Sequence, residues 1–314
     1  MWLGAHIGTS DGLGETPRLG RTIGCDAIQI FSKSPKMWAG PPIADEAADA
    51  FRATVREVGL KATAVHHGYL VNLASPKKVG LARSRKALVD EIQRATKIGV
   101  DGLILHPGAH MGEGPEAGLR RIVESLNWVL EKEPKSPVRL LLENAAGQGT
   151  ALCSTFPELR TVLDGVSDRS RVGVALDTCH LFAAGNEFRT RESYEAFVDR
   201  LGSELGIGEV RAFHLNDAKA DLGSHLDRHE NIGKGKLGLD GFRFLINDAR
   251  WANTPGYLET PLSDDGYSAY VADLAALRGL LAPAGGPTGP SAAAASRDAK
   301  PRGRRGDTPT GSTA

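Results

Sequence analysis

Short aliphatic runs alternate with longer amphipathic stretches along the first 281 residues. The runs at Trp2–His6, Ala27–Ser32, Ala62–His67, Gly102–His106, Arg139–Asn144, Val172–Asp177, Val210–Asn216 and Gly256–Thr260 predict strands. Between them, apolar residues recur at helical spacing over Ile43–Val58, Leu81–Ile98, Ala117–Lys132, Arg191–Glu204 and Tyr267–Leu281. Such alternation calls for parallel strands joined by right-handed crossovers. Runs such as Leu140–Leu142 lack polar alternation, as expected where both faces are covered. The pattern predicts an α/β fold, a single (β/α)8 TIM barrel over 1–281. An open doubly wound sheet is the alternative, but no GxGxxG follows any strand.

The pattern stops at Ala282. From there to Ala314 the only hydrophobic residue is alanine, and five of the 17 prolines gather with six glycines. Such a segment buries too little apolar surface to offset the entropy of ordering it, so 282–314 reads as a disordered tail. Arg297, Lys300, Arg302, Arg304 and Arg305 outweigh Asp298 and Asp307, leaving the tail at +3 and the barrel at −3.

Composition narrows the classes. The chain is 41% hydrophobic, enough for a sizeable core, and its 38 basic residues balance 38 acidic ones. That balance argues against a surface coated in positive charge for nonspecific nucleic-acid binding, while leaving a local basic groove open. Cys25, Cys153 and Cys179 are too scattered for a disulfide framework or a thiolate zinc site, which points to a reducing, cytoplasmic setting. No apolar run approaches the ~18 residues of a membrane span, and a strand from Trp2 leaves no room for a signal peptide.

The chemistry lies at the strand ends. Hydrophobic runs terminate in His6, His66, His106, Glu143, Asp177, His214 and Glu259, and parallel strands in a barrel bring these ends to one face. His180 follows Asp177 by three residues, and Asp227 and His229 are one residue apart, so an extended chain aims both to one side. Singly, a strand-end histidine is more often a hydrogen-bonded core residue, and a strand-end carboxylate often caps a helix. Jointly, five imidazoles and four carboxylates form a nitrogen–oxygen environment suited to zinc or manganese. Four carboxylates packed together need cations to relieve their repulsion. Nine donors exceed one tetrahedral ion; with one bridging carboxylate they suit three. Clustered divalent metals serve phosphodiester hydrolysis, aminopeptidases and sugar isomerases alike.

Seven strings go further: HHGYLVNL (66–73), HPGAH (106–110), ENAAGQG (143–149), DTCHLFAAG (177–185), HLNDAK (214–219), DRHENIG (227–233) and LETP (258–261). In order and in register, they resemble the endonuclease IV type of apurinic/apyrimidinic endonuclease from residue 4 to about residue 261. The resemblance implies three zinc ions, with manganese an option at one site. His66, His106 and Glu143 would hold the first ion, Glu143, Asp177, His214 and Glu259 the second, and His180, Asp227 and His229 the third. It implies cleavage of duplex DNA 5′ to abasic sites, leaving a 3′-hydroxyl and a 5′-deoxyribose phosphate, with trimming of blocked 3′ ends. Glu143, the bridging ligand, is the catalytic residue on this reading. Tyr69 and Leu70 match residues that enter the base stack, and Lys36 stands where the family usually has arginine, losing its planar fork. A monomer without membrane attachment, associated with the nucleoid through DNA, is implied.

Departures lie beside the ligand positions. His67 replaces a usual aspartate, and the loop from His6 reads HIGTSDG, with Asp11 in place of a small residue. His110, His225 and Cys179 do not occupy ligand positions. Two rivals remain: a metal-dependent sugar isomerase or epimerase on the same barrel, and a noncatalytic damage-binding protein. The first needs neither a third metal nor the Tyr69–Leu70 wedge. The second leaves nine metal-ready groups at one face without a purpose.

Overall fold

In the computed structural model, residues 1–282 are described, so the expected tail lies, from Pro283 onward, outside the described residues. The strands are β1 (Trp2–His6), β2 (Ala27–Ile30), β3 (Ala62–His66), β4 (Gly102–Leu105), β5 (Arg139–Glu143), β6 (Val172–Asp177) and β7 (Val210–His214). A two-residue antiparallel ribbon follows, β8 (Asp217–Ala218) with β9 (His229–Glu230), and β10 (Pro255–Leu258) completes the set. All but the ribbon pair in parallel, in the closed order β1-β10-β7-β6-β5-β4-β3-β2. The chain is a TIM barrel.

Each predicted strand is present, and most stop one or two residues early. β2 ends at Ile30, β4 at Leu105 and β7 at His214, because the residues that follow leave the ladder and turn toward the barrel mouth. The helices α1 (Thr16–Thr22), α2 (Asp45–Val58), α3 (Lys78–Ile98), α4 (Pro115–Lys132), α5 (Phe156–Gly165), α6 (Thr178–Ala183), α7 (Arg191–Glu204), α8 (Gly238–Asn247) and α9 (Ser268–Gly279) surround the strands. The helices α1, α5, α6 and α8 are not among the predicted ones; α1 and α6, with seven and six residues, are too short to show the periodicity. Two of them start on a side-chain cap: Thr155 caps α5 through the amide of Glu158, and Asp177 caps α6 through that of His180.

Two cores hold this frame. The outer one lies between helices and strands; in α4, for example, Leu119, Ile122, Leu126 and Val129 recur on one buried face. The inner one fills the barrel with Ala27, Ala62, Ala64, Ile104, Leu141, Ala175, Ala212 and Tyr257. Gly4 belongs to the same interior because β1 and β2 approach so closely that a Cβ there would sit 1.9 Å from the carbonyl oxygen of Ala27. Among the described residues, no helix is long and apolar enough to cross a membrane. Leu126 is fully buried in the outer core, so Leu126→Ala is expected to cost about 3 kcal/mol of stability, read by chemical denaturation.

Candidate metal centre

Strand alternation aims every second residue inward, and the last inward residue of most strands is a metal-type donor. His66, Glu143, Asp177 and His214 close β3, β5, β6 and β7; His106 and Glu259 are the first residues beyond β4 and β10. His180 comes from α6, and His229 from the ribbon with Asp227 just before it. Their donor atoms lie within 4.8 Å of one another in three groups that together take in all nine: His66, His106 and Glu143; Glu143, Asp177, His214 and Glu259; and His180, Asp227 and His229. Two further combinations meet the same limit, His66, His214 and Glu259, and Asp177, Cys179 and His229. All nine residues from the sequence reading meet here.

Among the first three groups, Glu143 is the member shared by two. Its Oε2 lies 3.1 Å from His66 Nε2 and 3.4 Å from His106 Nε2, while Oε1 lies 2.8 Å from His214 Nδ1. Each carboxylate oxygen thus faces a different group. In the third group, the two Asp227 oxygens lie 3.2 Å from His180 Nε2 and 3.2 Å from His229 Nε2. Those buried nitrogens make no hydrogen bond among the described residues, so the separations are close but poorly directed. Donors that converge without bonding to one another suit a shared cation.

The imidazoles are also fixed from behind. A backbone carbonyl can only accept, so the ring nitrogen facing it carries the proton. His66 Nδ1 donates to the His67 carbonyl at 2.8 Å, His180 Nδ1 to that of Asn144 at 2.9 Å, and His229 Nδ1 to that of Glu259 at 3.2 Å. Each leaves Nε2 facing the carboxylates. His214 is reversed: Nε2 donates to Gln29 Oε1 at 2.9 Å, and Nδ1 faces inward. Partners that set tautomer and ring orientation in this way are the usual support of metal-binding histidines.

The carboxylates are held similarly. Gln29 Nε2 donates to Glu259 Oε1 at 2.6 Å, and Asn216 Nδ2 to Asp177 Oδ2 at 2.7 Å. The other Asp177 oxygen accepts the His180 amide at 2.8 Å, so the residue both caps α6 and faces the site. His6 adds Nδ1 at 3.3 Å from Glu259. Gln29, Asn144 and Asn216 did not emerge from the sequence, although strand-end position was an available signal: Gln29 is the last inward residue of β2, and the asparagines directly follow Glu143 and closely follow His214. The ribbon that carries His229 is anchored by the buried Asp217, whose carboxylate accepts the amides of Gly233, Gly235 and Leu237.

Burial would raise the pKa of Glu143, yet His106, His214 and His66 hold its carboxyl well below the usual range. Burial likewise opposes ionisation of Asp227 and Glu259, and the surrounding imidazoles reverse the effect at both. For His214, burial lowers the pKa, but Glu259, Glu143 and Asp177 together raise it to about 9. For His229, too, burial lowers the pKa, and Asp177 and Asp227 overcome it and raise it to about 9.

The loops around the mouth carry exposed apolar side chains. Tyr69 is 65% exposed and Leu70 38% exposed on the loop after β3, with Tyr69 edge-on to Phe31 at 5.9 Å. Met37, Met111, Leu226 and Leu262, on the loops after β2, β4, β8 and β10, are exposed too. Lys36 is exposed in a loop pinned to α3 by Lys33, which reaches Asp90 and Glu91, and by Arg94, whose Nη1 donates to the Pro41 carbonyl at 2.7 Å. The ring of Trp38 in that loop is covered by the guanidinium of Arg83 at 4.4 Å. His67 is buried and accordingly lowered in pKa, with Nδ1 on the Gly68 carbonyl, turned away from the donor groups. Cys179 is buried with its thiol raised in pKa first by that burial, an inert setting.

A closed barrel with nitrogen and oxygen donors gathered at its C-terminal mouth defines a class: residues 17–280 match the family described as xylose isomerase-like TIM barrel. A probable endonuclease 4 of Geobacter sulfurreducens is 40% identical over 264 residues, 84% of this chain and 89% of that protein. The chain belongs to the endonuclease 4 family. The crystal structure of endonuclease IV from Thermus thermophilus superposes with a TM-score of 0.78 at 29% identity, covering 89% of this chain and 98% of that one. The D-psicose 3-epimerase of Clostridium cellulolyticum shares the fold at a TM-score of 0.65 and 18% identity, covering 89% and 97%.

His214 and His229, with pKa values of about 9, carry their second proton near neutrality in the chain alone. Because these folded-state values lie above the ordinary 6.5, their stabilisation of the stripped protein is full below pH 6.5 and lost as pH rises through about 9. A divalent cation must displace those protons, so its affinity is expected to rise over the same interval. Zinc titrated into chelator-stripped protein at pH 7.5 should release at least about one proton, read by calorimetry in buffers of different ionisation enthalpy. Uptake without proton release would contradict the assignment.

Proposed function

We propose that the chain is a DNA-repair endonuclease that hydrolyses the phosphodiester 5′ to abasic sites in duplex DNA. It would leave a 3′-hydroxyl and a 5′-deoxyribose phosphate, and would also trim blocked 3′ ends. One observation carries this reading: nine donors meet in three groups around Glu143, at a mouth rimmed by exposed apolar side chains. The 40% identity to a probable endonuclease 4 across the barrel supports it.

The donor set fits three zinc ions, with manganese an option at one site. His66, His106 and Glu143 would hold the first, Glu143, Asp177, His214 and Glu259 the second, and His180, Asp227 and His229 the third. Bound there, zinc supplies Lewis acidity toward phosphate oxygens and lowers the pKa of water toward neutrality.

The chain's own residues supply position and selection. Glu143 faces the first two groups with separate oxygens, which suits a bridging role. Gln29, Asn216 and the carbonyls behind His66, His180 and His229 keep the donors from rotating, so little reorganisation accompanies the reaction. Tyr69 and Leu70 are exposed where an apolar wedge can fill the gap left by a missing base and exclude water. Lys36 offers a point charge to a phosphate without the bidentate fork of arginine. We infer a monomer acting in the cytoplasm, since the mouth must admit a duplex.

The first test is incision of a synthetic abasic duplex with metal analysis on the same sample. Three ions with 5′ incision support the reading; one or two ions with epimerisation of a ketose and no incision favour the sugar epimerase. Glu143→Gln is expected to lower incision at least ~100-fold with unchanged secondary structure by circular dichroism. Leu70→Ala is expected to weaken abasic-duplex binding about tenfold relative to intact duplex while zinc content stays constant.

A further inference from the structure

The other, N-terminal mouth of the barrel contains a cavity of about 390 Å3. It exists because Ala62, Ala64, Gly102 and Ala212 line it, where barrels usually carry bulky branched side chains. Ile104, Leu141 and Tyr257 fill the barrel between this cavity and the donor groups of the opposite mouth.

Three cations border the cavity, Lys61, Arg139 and Arg211, against one carboxylate, Asp101. Among the described residues, none of the three forms an ion pair. Asp101 is held within the lining: its Oδ2 accepts the Thr63 amide at 2.8 Å and the Thr63 hydroxyl at 3.3 Å. Arg139 donates Nε to the Ser170 carbonyl at 3.1 Å, which leaves its terminal nitrogens without a protein acceptor among the described residues. Burial and then the neighbouring Arg211 lower the pKa of Arg139.

Arg211 is placed there by a bulge. Val174 pairs with Val210 and Ala175 with Ala212, so Arg211 is the extra residue of β7, and bulges re-aim side chains. Its stem passes Gly173 so closely that a Cβ at 173 would lie 2.8 Å from Arg211 Cγ. Tyr257 is 1% exposed, borders the cavity, and its hydroxyl has no hydrogen bond among the described residues. Trp2 supplies an aromatic edge to the same space.

We propose that this mouth binds a small phosphomonoester carrying a flat apolar group, a mononucleotide being the simplest example. Three cations and one carboxylate leave +2, which matches a phosphomonoester dianion better than a carboxylate monoanion. Two guanidiniums present planar forks to phosphate oxygens, the Tyr257 hydroxyl donates to one, and Trp2 with Leu141 covers the apolar body.

The test is calorimetry on the full-length, metal-loaded chain at low ionic strength, with dAMP and deoxyadenosine as probes. A phosphate can also approach the donor groups of the other mouth, so comparison with variants at this mouth makes the assignment. Arg211 and Lys61 are exposed, and Arg211→Ala and Lys61→Ala should melt like the parent protein without ligand. Arg211→Ala is expected to weaken dAMP about tenfold, and Lys61→Ala severalfold, while deoxyadenosine binds at least about tenfold more weakly than dAMP. Failure of the parent to bind dAMP would overturn the proposal. So would equal dAMP affinity in parent and Arg211→Ala, or equal affinity for nucleoside and nucleotide. None of these readouts involves DNA incision, so the outcome is independent of the endonuclease reading.

Discussion

Four carboxylates crowd one barrel mouth, and the structure depends on how their mutual repulsion is answered. Glu143 and Asp177 are fully buried, which alone would drive carboxyls neutral. Five imidazoles interleave with them and keep Glu143, Asp227 and Glu259 ionised. That arrangement holds only if each ring presents the correct nitrogen. Carbonyls of His67, Asn144 and Glu259, and the amide oxygen of Gln29, enforce this from outside the cluster for four of the five rings. The charge pattern is therefore built into backbone geometry, and a cation entering it finds its donors already aligned.

The period of two along each strand explains both ends of the barrel. His66, Ala64 and Ala62 share one face of β3, as do Glu143, Leu141 and Arg139 of β5. Reading down such a face passes from donor, through apolar plug, to the opposite mouth. Small residues at the lower level leave a cavity, while Tyr257 and Leu141 keep it from merging with the donor groups. β7 breaks the rule with its bulge, and the residue so displaced is Arg211.

Much of this was legible in the residues alone. Uninterrupted aliphatic runs ending in a histidine or carboxylate read as strands delivering donors to one face, and the structure brings those donors together. Strand ends were less legible, because His106 and Glu259 leave the ladder just where the hydrophobic run leads into them. The short helices escaped because six or seven residues do not complete two turns of periodic pattern. Gln29, Asn144 and Asn216 were invisible for another reason. Amides are common in loops and turns, and only three-dimensional contacts reveal that Gln29 and Asn216 point at carboxylates and an imidazole and that the Asn144 side chain holds the Asp177 backbone.

The three donor groups do not have the same origin. His66, His106, Glu143, Asp177, His214 and Glu259 stand at barrel strand ends, so any chain with this barrel and those residues could assemble the first two groups. Asp227 and His229 reach the third from a ribbon outside the barrel, held by Asp217 accepting amides from the segment that follows. Burial raises the Asp217 pKa, and the donated amides oppose that shift by favouring the ionised carboxylate. Asn231 ties the same loop to Asp273 of α9 at 2.9 Å, linking the ribbon to the last helix of the barrel. The barrel strands therefore account for where six donors sit and α6 for His180, whereas Asp227 and His229 require this additional scaffold. Within this chain, the physical link to the third group runs from Asp217 and Asn231, through the loop they hold, to Asp227 and His229.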